Sequence, residues 1–247
     1  MPRFTFRLRV VVLGFVLVAV AASVHGAGAV ILVGSGTPDA KDALIVSRLE
    51  QLGFTVDAQL DAGDHPADMA GVDLVFISES TSSANLLGAY TDSTVPVVNC
   101  ETWTFDDMGF AAGDAGFNSD AGDTLTVLNN AHPITEGLGD TVLVHDPAIS
   151  LMAASGLGGD VGILAVREDT PERAAVAVYE AGASTLTGET QAIHVLLFPH
   201  STGWALLTDE AWGIVDRSIL YALDALPVSP KGRLPVTWSA LKQRRTR

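Results

Sequence analysis

The 247-residue chain is strongly acidic between two basic ends. Three of its 14 Lys and Arg residues lie in the first nine positions and six lie in the last 21. This leaves five basic residues beside all 29 acidic ones, a net charge of about −24, which argues against nucleic acid as a partner. The single cysteine, Cys100, excludes an internal disulfide, so the fold must depend on its hydrophobic core.

The first residues resemble a secretion signal. Arg3, Arg7 and Arg9 precede an apolar run over residues 10–22, and small residues follow it. This order of basic, apolar and small segments is typical of a signal peptide. The run is shorter than the roughly 20 apolar residues that span a bilayer. We therefore predict that residues 1–26 are a signal peptide, that no stable membrane span exists, and that the protein is exported to the periplasm, exterior or cell surface.

The body of the chain opens with a strand–helix–strand pattern. Residues 29–33 form a continuous apolar run, typical of a strand that is covered on both faces. A helix is expected to start at Thr37 and Pro38 and to end at Gly53. Residues 54–58 then form a second strand, and this succession predicts a parallel sheet.

The turn Gly34-Ser35-Gly36 does not indicate a nucleotide site. A dinucleotide-binding turn has a third glycine where this chain has Asp39, and no phosphate-binding Gly-Lys-Ser/Thr follows. We predict a tight turn and no cofactor.

Two further mainly apolar segments, residues 72–77 and 95–98, are followed by polar residues that are able to bind or react. Glu79 follows the first run, and Cys100 and Glu101 follow the second, with a short helix predicted over residues 84–90 between them. A right-handed crossover sets such strands side by side. Because sites form outside the carboxyl ends of strands in open α/β sheets, a crevice is expected there.

The second half of the chain alternates short strands with loops. The acidic loop over residues 110–123 does not match the spacing of a calcium loop, so its carboxylates are interpreted as solvated and no metal is predicted. A late strand ends in Pro199-His200, and a helix capped by Thr208 follows. The remaining predicted strands are 124–128, 141–144, an antiparallel pair over 163–166 and 174–179, and the late strand itself, 192–198.

Residues 227–247 differ in composition from the domain predicted over 27–226. They hold six basic residues, three prolines and no acidic residue. We expect a tail that is loosely attached and dispensable for folding. Two alternatives remain open: a strip that docks on the acidic body, and a sorting or surface-attachment signal. Trp238 and Leu241 stand one helical turn apart and could anchor a short helix.

Three stretches resemble the class I glutamine amidotransferase-like superfamily, nearest to the trehalose-utilisation-like (ThuA-like) domains of exported bacterial proteins. The segment 132–138 is similar to a His-Pro-Ile-Thr-x-Gly-Leu motif of ThuA-like chains. Residues 95–100 stand where glutamine amidotransferases have their nucleophile strand. Residues 198–200 resemble the strand–histidine–helix ending of the same enzymes. Over roughly residues 29–225, the resemblance implies a flavodoxin-like three-layer α/β sandwich with a mainly parallel sheet.

The same comparison reveals two departures. An active amidotransferase has its cysteine in a Gly-x-Cys-x-Gly turn, whereas Asn99 and Glu101 flank Cys100, and Val98 and Thr102 replace the glycines. The family's His-Pro-Glu ending is absent, because Ser201 follows His200. A Cys/His pair needs a base within reach and a third group that orients it. Glutaminase activity is therefore not expected.

Two functions remain open at this stage. The preferred one is a non-catalytic or ligand-binding domain whose small-molecule ligand can be carbohydrate-related. The other is a hydrolase of a carbohydrate or amide. We expect the carboxylate neighbours of Cys100 to raise its pKa, and the sequence makes no prediction of the oligomeric state. The candidate catalytic residues are Cys100, His200 and Glu101, and the candidate ligand-binding residues are Glu79, Trp103 and Trp204, the two tryptophans as stacking surfaces for a sugar.

Overall fold

A computed structural model describes residues 28–35, 40–63, 65, 69–113, 116–117 and 121–224. The predicted signal peptide and the basic tail lie outside these residues. Part of the acidic loop lies outside them too, and so do Thr37 and Pro38. The helix start predicted at these two residues was wrong, because residues 40–42 form a turn and the helix begins at Ala43.

Within the described part of the chain, short strands far outnumber helices. The helices are α1 (Ala43–Gln51), α2 (Ser83–Leu86) and α3 (Asp209–Asp224), with single 3₁₀ segments at Thr102–Thr104 and Ser201–Leu206. The strands are β1 (Gly28–Gly34), β2 (Phe54–Leu60), β3 (Leu74–Ile77), β4 (Val97–Asn99), β5 (Gly116–Phe117), β6 (Ala121–Gly122), β7 (Thr124–Val127), β8 (Thr141–Leu143), β9 (Ile149–Ser150), β10 (Ala153–Ala154), β11 (Gly162–Arg167), β12 (Ala174–Tyr179) and β13 (His194–Leu197).

One large mixed sheet of 11 strands organises the fold, in the order β2-β1-β3-β4-β13-β12-β11-β7-β8. The first five strands of this order are parallel, and the others join them antiparallel. The short strands β5 and β10 attach beside β12, and β6 pairs with β9 separately. The predicted antiparallel pair corresponds to β11 and β12.

The sheet is buried on both faces, as the continuous apolar runs predict. On one face, Leu74 and Phe76 of β3 share a core with the inner sides of α1 and α3. On the other face, Val75 and Ile77 of the same strand pack with residues of α2 and of the turns that follow β4. This alternation within one strand confirms the three-layer α/β fold. Turns, more than helices, cover the second face.

The predicted helix over residues 84–90 was wrong in length, because α2 ends at Leu86. Leu87 leaves the helical region with a φ of 47°. Gly88 lies so near the loop after β4 that a β-carbon there would be 3.0 Å from the carbonyl oxygen of Asp107. This close approach favours a sharp turn over a further helical turn.

The helix ends agree better with the sequence. Gly53, with a φ of 96°, follows α1 in the left-handed conformation that the sequence predicts. At the start of α3, the Thr208 hydroxyl accepts a hydrogen bond from the N–H of Ala211 at 3.2 Å, which confirms the predicted cap. Leu44 of α1 is 45% exposed although it is apolar. None of the helices in the described ranges is long and apolar enough to cross a membrane.

Candidate functional site

The place where the sequence predicts a crevice, at the carboxyl ends of the central parallel strands, holds a cluster of polar side chains. The strands β3, β4 and β13 are direct neighbours and run parallel, so the residues that follow them meet at one edge of the sheet. Glu79 follows β3, Cys100 and Glu101 follow β4, and His200 follows β13. The structure thus brings together four of the six residues that the sequence singles out.

Glu79 and His200 form the central polar contact of this crevice. The Nε2 atom of His200 lies 3.3 Å from Oε1 of Glu79. The other carboxylate oxygen of Glu79 accepts a hydrogen bond from the N–H of Ser201 at 2.8 Å. The carboxylate that orients the histidine, absent from its expected place after His200, is therefore supplied by a different strand.

The second ring nitrogen of His200 is engaged as well. Its Nδ1 atom accepts a hydrogen bond from the N–H of Thr202 at 3.2 Å and lies 2.8 Å from the Thr202 hydroxyl. Because Nδ1 accepts, the proton of the neutral ring sits on Nε2 and is directed at Glu79. Neither nitrogen is available to take a proton from Cys100 in this arrangement.

Cys100 is a fully buried residue that continues the strand direction. Its N–H donates to the carbonyl oxygen of Ile77 at 2.9 Å, so the backbone extends the β3–β4 pairing and makes no sharp turn. Burial raises the pKa of the Cys100 thiol well above its ordinary value, and Glu79, Asp42 and Glu101 raise it further. The sequence predicts this direction from the carboxylates alone, whereas burial is the larger cause.

Glu101 is only 3% exposed although it carries a carboxyl group. Its Oε1 atom accepts a hydrogen bond from the N–H of Trp103 at 2.9 Å and so caps the 3₁₀ turn Thr102–Thr104. Burial raises the pKa of Glu101 to about 8; the hydrogen bond from Trp103 opposes this, and nearby Glu79 adds to it. At neutral pH the site therefore holds a protonated Glu101 near Glu79.

Asp42 is a member of the site that the sequence did not reveal. It is buried at the start of α1, where its two carboxylate oxygens accept hydrogen bonds from the hydroxyls of Ser78 and Ser80. A β-carbon on Gly34 would stand 2.6 Å from an oxygen of Asp42. The glycine that we interpreted as part of a tight turn thus also makes room for this carboxylate.

The two candidate tryptophans have different surroundings. Trp103 is 37% exposed on the turn that Glu101 caps, and it can meet a ligand. Trp204 is 1% exposed, stacks on Trp212 with ring centroids 5.6 Å apart, and also packs against Phe76. Its place is in the core, so the predicted stacking of Trp204 on a sugar must be withdrawn.

The segment that resembles the ThuA-like motif has a structural role. The Nδ1 atom of His132 accepts a hydrogen bond from the N–H of Ile134 at 3.2 Å, and its ring packs against Tyr221 of α3. Arg217, also on α3, donates to the carbonyl oxygen of Ile134 at 2.6 Å. These contacts attach the motif to α3.

The described residues contain no group of three or more His, Cys, Asp or Glu side chains suited to a metal ion.

Solved structures of low sequence identity match this chain over most of its length. A cytoplasmic protein from Salmonella typhimurium matches at a TM-score of 0.52 with 10% identity, over 78% of this chain and 98% of that chain. A protein from Bacteroides uniformis described as ThuA-like matches at 0.46 with 12% identity, over 87% and 98%. A glutamine amidotransferase from Thermotoga maritima matches at 0.46 with 11% identity, over 82% and 85%.

The first of these matches, at a TM-score of 0.52, supports a shared fold. Both kinds of protein that the sequence resembles, amidotransferase-like and ThuA-like, occur among the structural neighbours. No protein-family model and no curated protein matches the sequence. At identities near 10%, the likeness does not extend to activity.

Proposed function

We propose that this chain is an exported amidotransferase-like domain that binds a small polar ligand and does not catalyse a reaction. The observation that carries this proposal is the burial of the Cys100 thiol together with the engagement of both ring nitrogens of His200. Cys100 is fully buried, and both ring nitrogens of His200 are engaged by Glu79 and Thr202. A thiol nucleophile needs an accessible sulfur, a lowered pKa and a base within reach. The arrangement around Cys100 opposes the first two requirements, and the partners of His200 oppose the third.

The groups at the crevice suit a ligand rich in hydroxyl groups. The carboxylate of Glu79, whose side chain is 11% exposed, can accept a hydrogen bond from such a ligand. The exposed indole of Trp103, on the turn that Glu101 caps, offers an apolar surface, which fits the face of a sugar ring. A carbohydrate-related ligand combines both kinds of contact.

Binding measurements test this proposal. Isothermal titration of the mature protein with a panel of mono- and disaccharides should identify a saturable ligand. Trp103→Ala should weaken its binding by about tenfold or more, since stacked aromatics are frequent binding hot spots. Leu186→Ala removes an exposed apolar side chain elsewhere and should leave the affinity unchanged. Absence of saturable binding across the panel, or equal binding by both variants, would refute the proposal.

A hydrolase remains the second candidate, because one feature favours it. The crevice pairs an acid of raised pKa, Glu101, with a carboxylate, Glu79, and such unequal pairs perform acid–base chemistry in enzymes. Steady turnover of a glycoside or amide that is lost in both Glu101→Gln and Glu79→Gln would support this candidate. Equal background rates in wild type and both variants would eliminate it.

A further inference from the structure

A groove separates the exposed sides of α1 and α3. Each helix contributes residues spaced three or four apart, so one continuous face of each helix lines it. The groove encloses about 550 Å³. It is lined by Leu44, Ser47, Arg48 and Gln51 of α1 and by Asp209, Trp212, Gly213 and Asp216 of α3.

The groove has an apolar floor and room for a large side chain. Leu44 exposes nearly half of its surface there, and Trp212 lies beneath the guanidinium of Arg48, 5.6 Å from its ring centroid. A β-carbon on Gly213 would meet only the Arg217 guanidinium, at 4.0 Å. A helix that carries bulky apolar residues could therefore approach α3 closely at this glycine.

The electrostatics of the groove favour a basic occupant. Arg48 forms a salt bridge with Asp216, and Arg217, near Gly213, donates a hydrogen bond to the carbonyl oxygen of Ile134, so both basic groups at the groove are engaged within the domain. Asp209 adds a second acidic side chain at the exposed start of α3. The part of the chain between the two basic ends carries a net charge of about −24, and this charge attracts positively charged segments.

The chain's own basic tail has the matching chemistry. It contains Trp238 and Leu241, one helical turn apart, followed by Lys242, Arg244 and Arg245, and it holds no acidic residue. An apolar pair flanked by charge of the opposite sign is the pattern by which amphipathic helices bind grooves. We propose that residues 236–245 dock in the groove between α1 and α3, with Trp238 against Gly213 and the exposed side chain of Leu44.

The tail is long enough to reach this groove. Along α3, Gly213 lies about 16 Å from the helix end at Asp224, at 1.5 Å per residue. The 14 residue steps from Asp224 to Trp238 span up to about 46 Å when extended. Tethering to the helix that lines the groove raises the local concentration of the tail to the millimolar range. Docking can therefore be weak in intrinsic affinity and still be populated.

A weakly docked tail adds only a small increment to the stability of the domain. Trp212 stacks on buried Trp204 and lies under Arg48 within the domain itself, so the groove walls are complete without the tail. This proposal is independent of any ligand in the crevice.

Zero-length carbodiimide cross-linking of the full mature chain tests the proposal, because lysines are scarce. The chain has three: Lys41 in the body, and Lys231 and Lys242 in the tail. We expect Lys242 to couple to Asp209 or Asp216 within one chain, with a yield that does not change on dilution. Gly213→Gln fills the groove and Trp238→Ala removes the anchor, and each should lower this yield about fivefold or more.

Gly188→Gln is the matched control, since a β-carbon there also meets open space, and it should leave the cross-link unchanged. Coupling of Lys242 to carboxylates spread over the whole body, with equal yield in Gly213→Gln, would overturn the proposal. Coupling that occurs only between two chains and disappears on dilution would overturn it too, and would assign the groove to a second copy.

Discussion

Replacement of Glu101 by glutamine should stabilise the protein at neutral and mildly alkaline pH. The fold holds the pKa of Glu101 at about 8, whereas an unfolded glutamate titrates near 4.3. As the pH rises from about 4 to 8, the unfolded chain loses this proton while the folded protein keeps it. The unfolded state therefore gains relative stability across this window, and above pH 8 the difference stays constant.

The size of the effect follows from the pKa difference. At about 1.4 kcal/mol per pKa unit, the upper bound is about 5 kcal/mol at pH 8 and above. Relaxation of the folded state around the charge lowers this value, and we expect about 2–4 kcal/mol. The amide of glutamine keeps an acceptor for the N–H of Trp103, so the capped turn should survive the change.

Urea denaturation followed by tryptophan fluorescence at pH 4, 6 and 8 measures the effect. The free energy of unfolding of Glu101→Gln should equal that of wild type at pH 4 and exceed it progressively as the pH rises. Glu172→Gln, at an exposed position, should show no such pH-dependent gain. A Glu101→Gln variant that is less stable than wild type at pH 8, or a difference independent of pH, would refute the reasoning.

Three further predictions concern the core and the tail. His194 is fully buried, neither of its ring nitrogens has a hydrogen-bond partner, and burial lowers its pKa to about 3. His194→Leu removes these unsatisfied groups and should raise the free energy of unfolding by about 1–3 kcal/mol in urea denaturation at pH 7. Trp204→Ala should lower that free energy by about 3–5 kcal/mol, whereas Trp103→Ala should change it far less. Deletion of residues 227–247 should leave the melting temperature nearly unchanged in calorimetry, and a large loss would show that the tail belongs to the core.

The fold and the place of the crevice were predictable because they depend on local patterns. Continuous apolar runs mark strands that are buried on both faces, as β3 and β13 are. Once parallel order is inferred, the residues after each strand must meet at one edge. Glu79, Cys100 and His200 could therefore be placed together from the sequence alone.

The pairings within the crevice could not be predicted in the same way. Glu79 and Ser201 are 122 positions apart, and no local pattern indicates that the Glu79 carboxylate contacts both Ser201 and His200. The burial of Asp42 depends on the missing side chain of Gly34, which is a tertiary contact. Trp204 follows the polar segment 200–202 and resembles a surface aromatic, but its stacking on Trp212 of α3 places it in the core.

Alkylation of Cys100 in the native protein tests the central claim most directly. The mature protein is treated with iodoacetamide near neutral pH, and the single thiol is followed by intact mass spectrometry. Because Cys100 is fully buried and its pKa is raised, the folded protein should remain unmodified for hours, while the same protein in concentrated urea should react completely. Rapid alkylation of the folded protein would show an accessible, reactive thiolate, and would contradict a non-catalytic crevice.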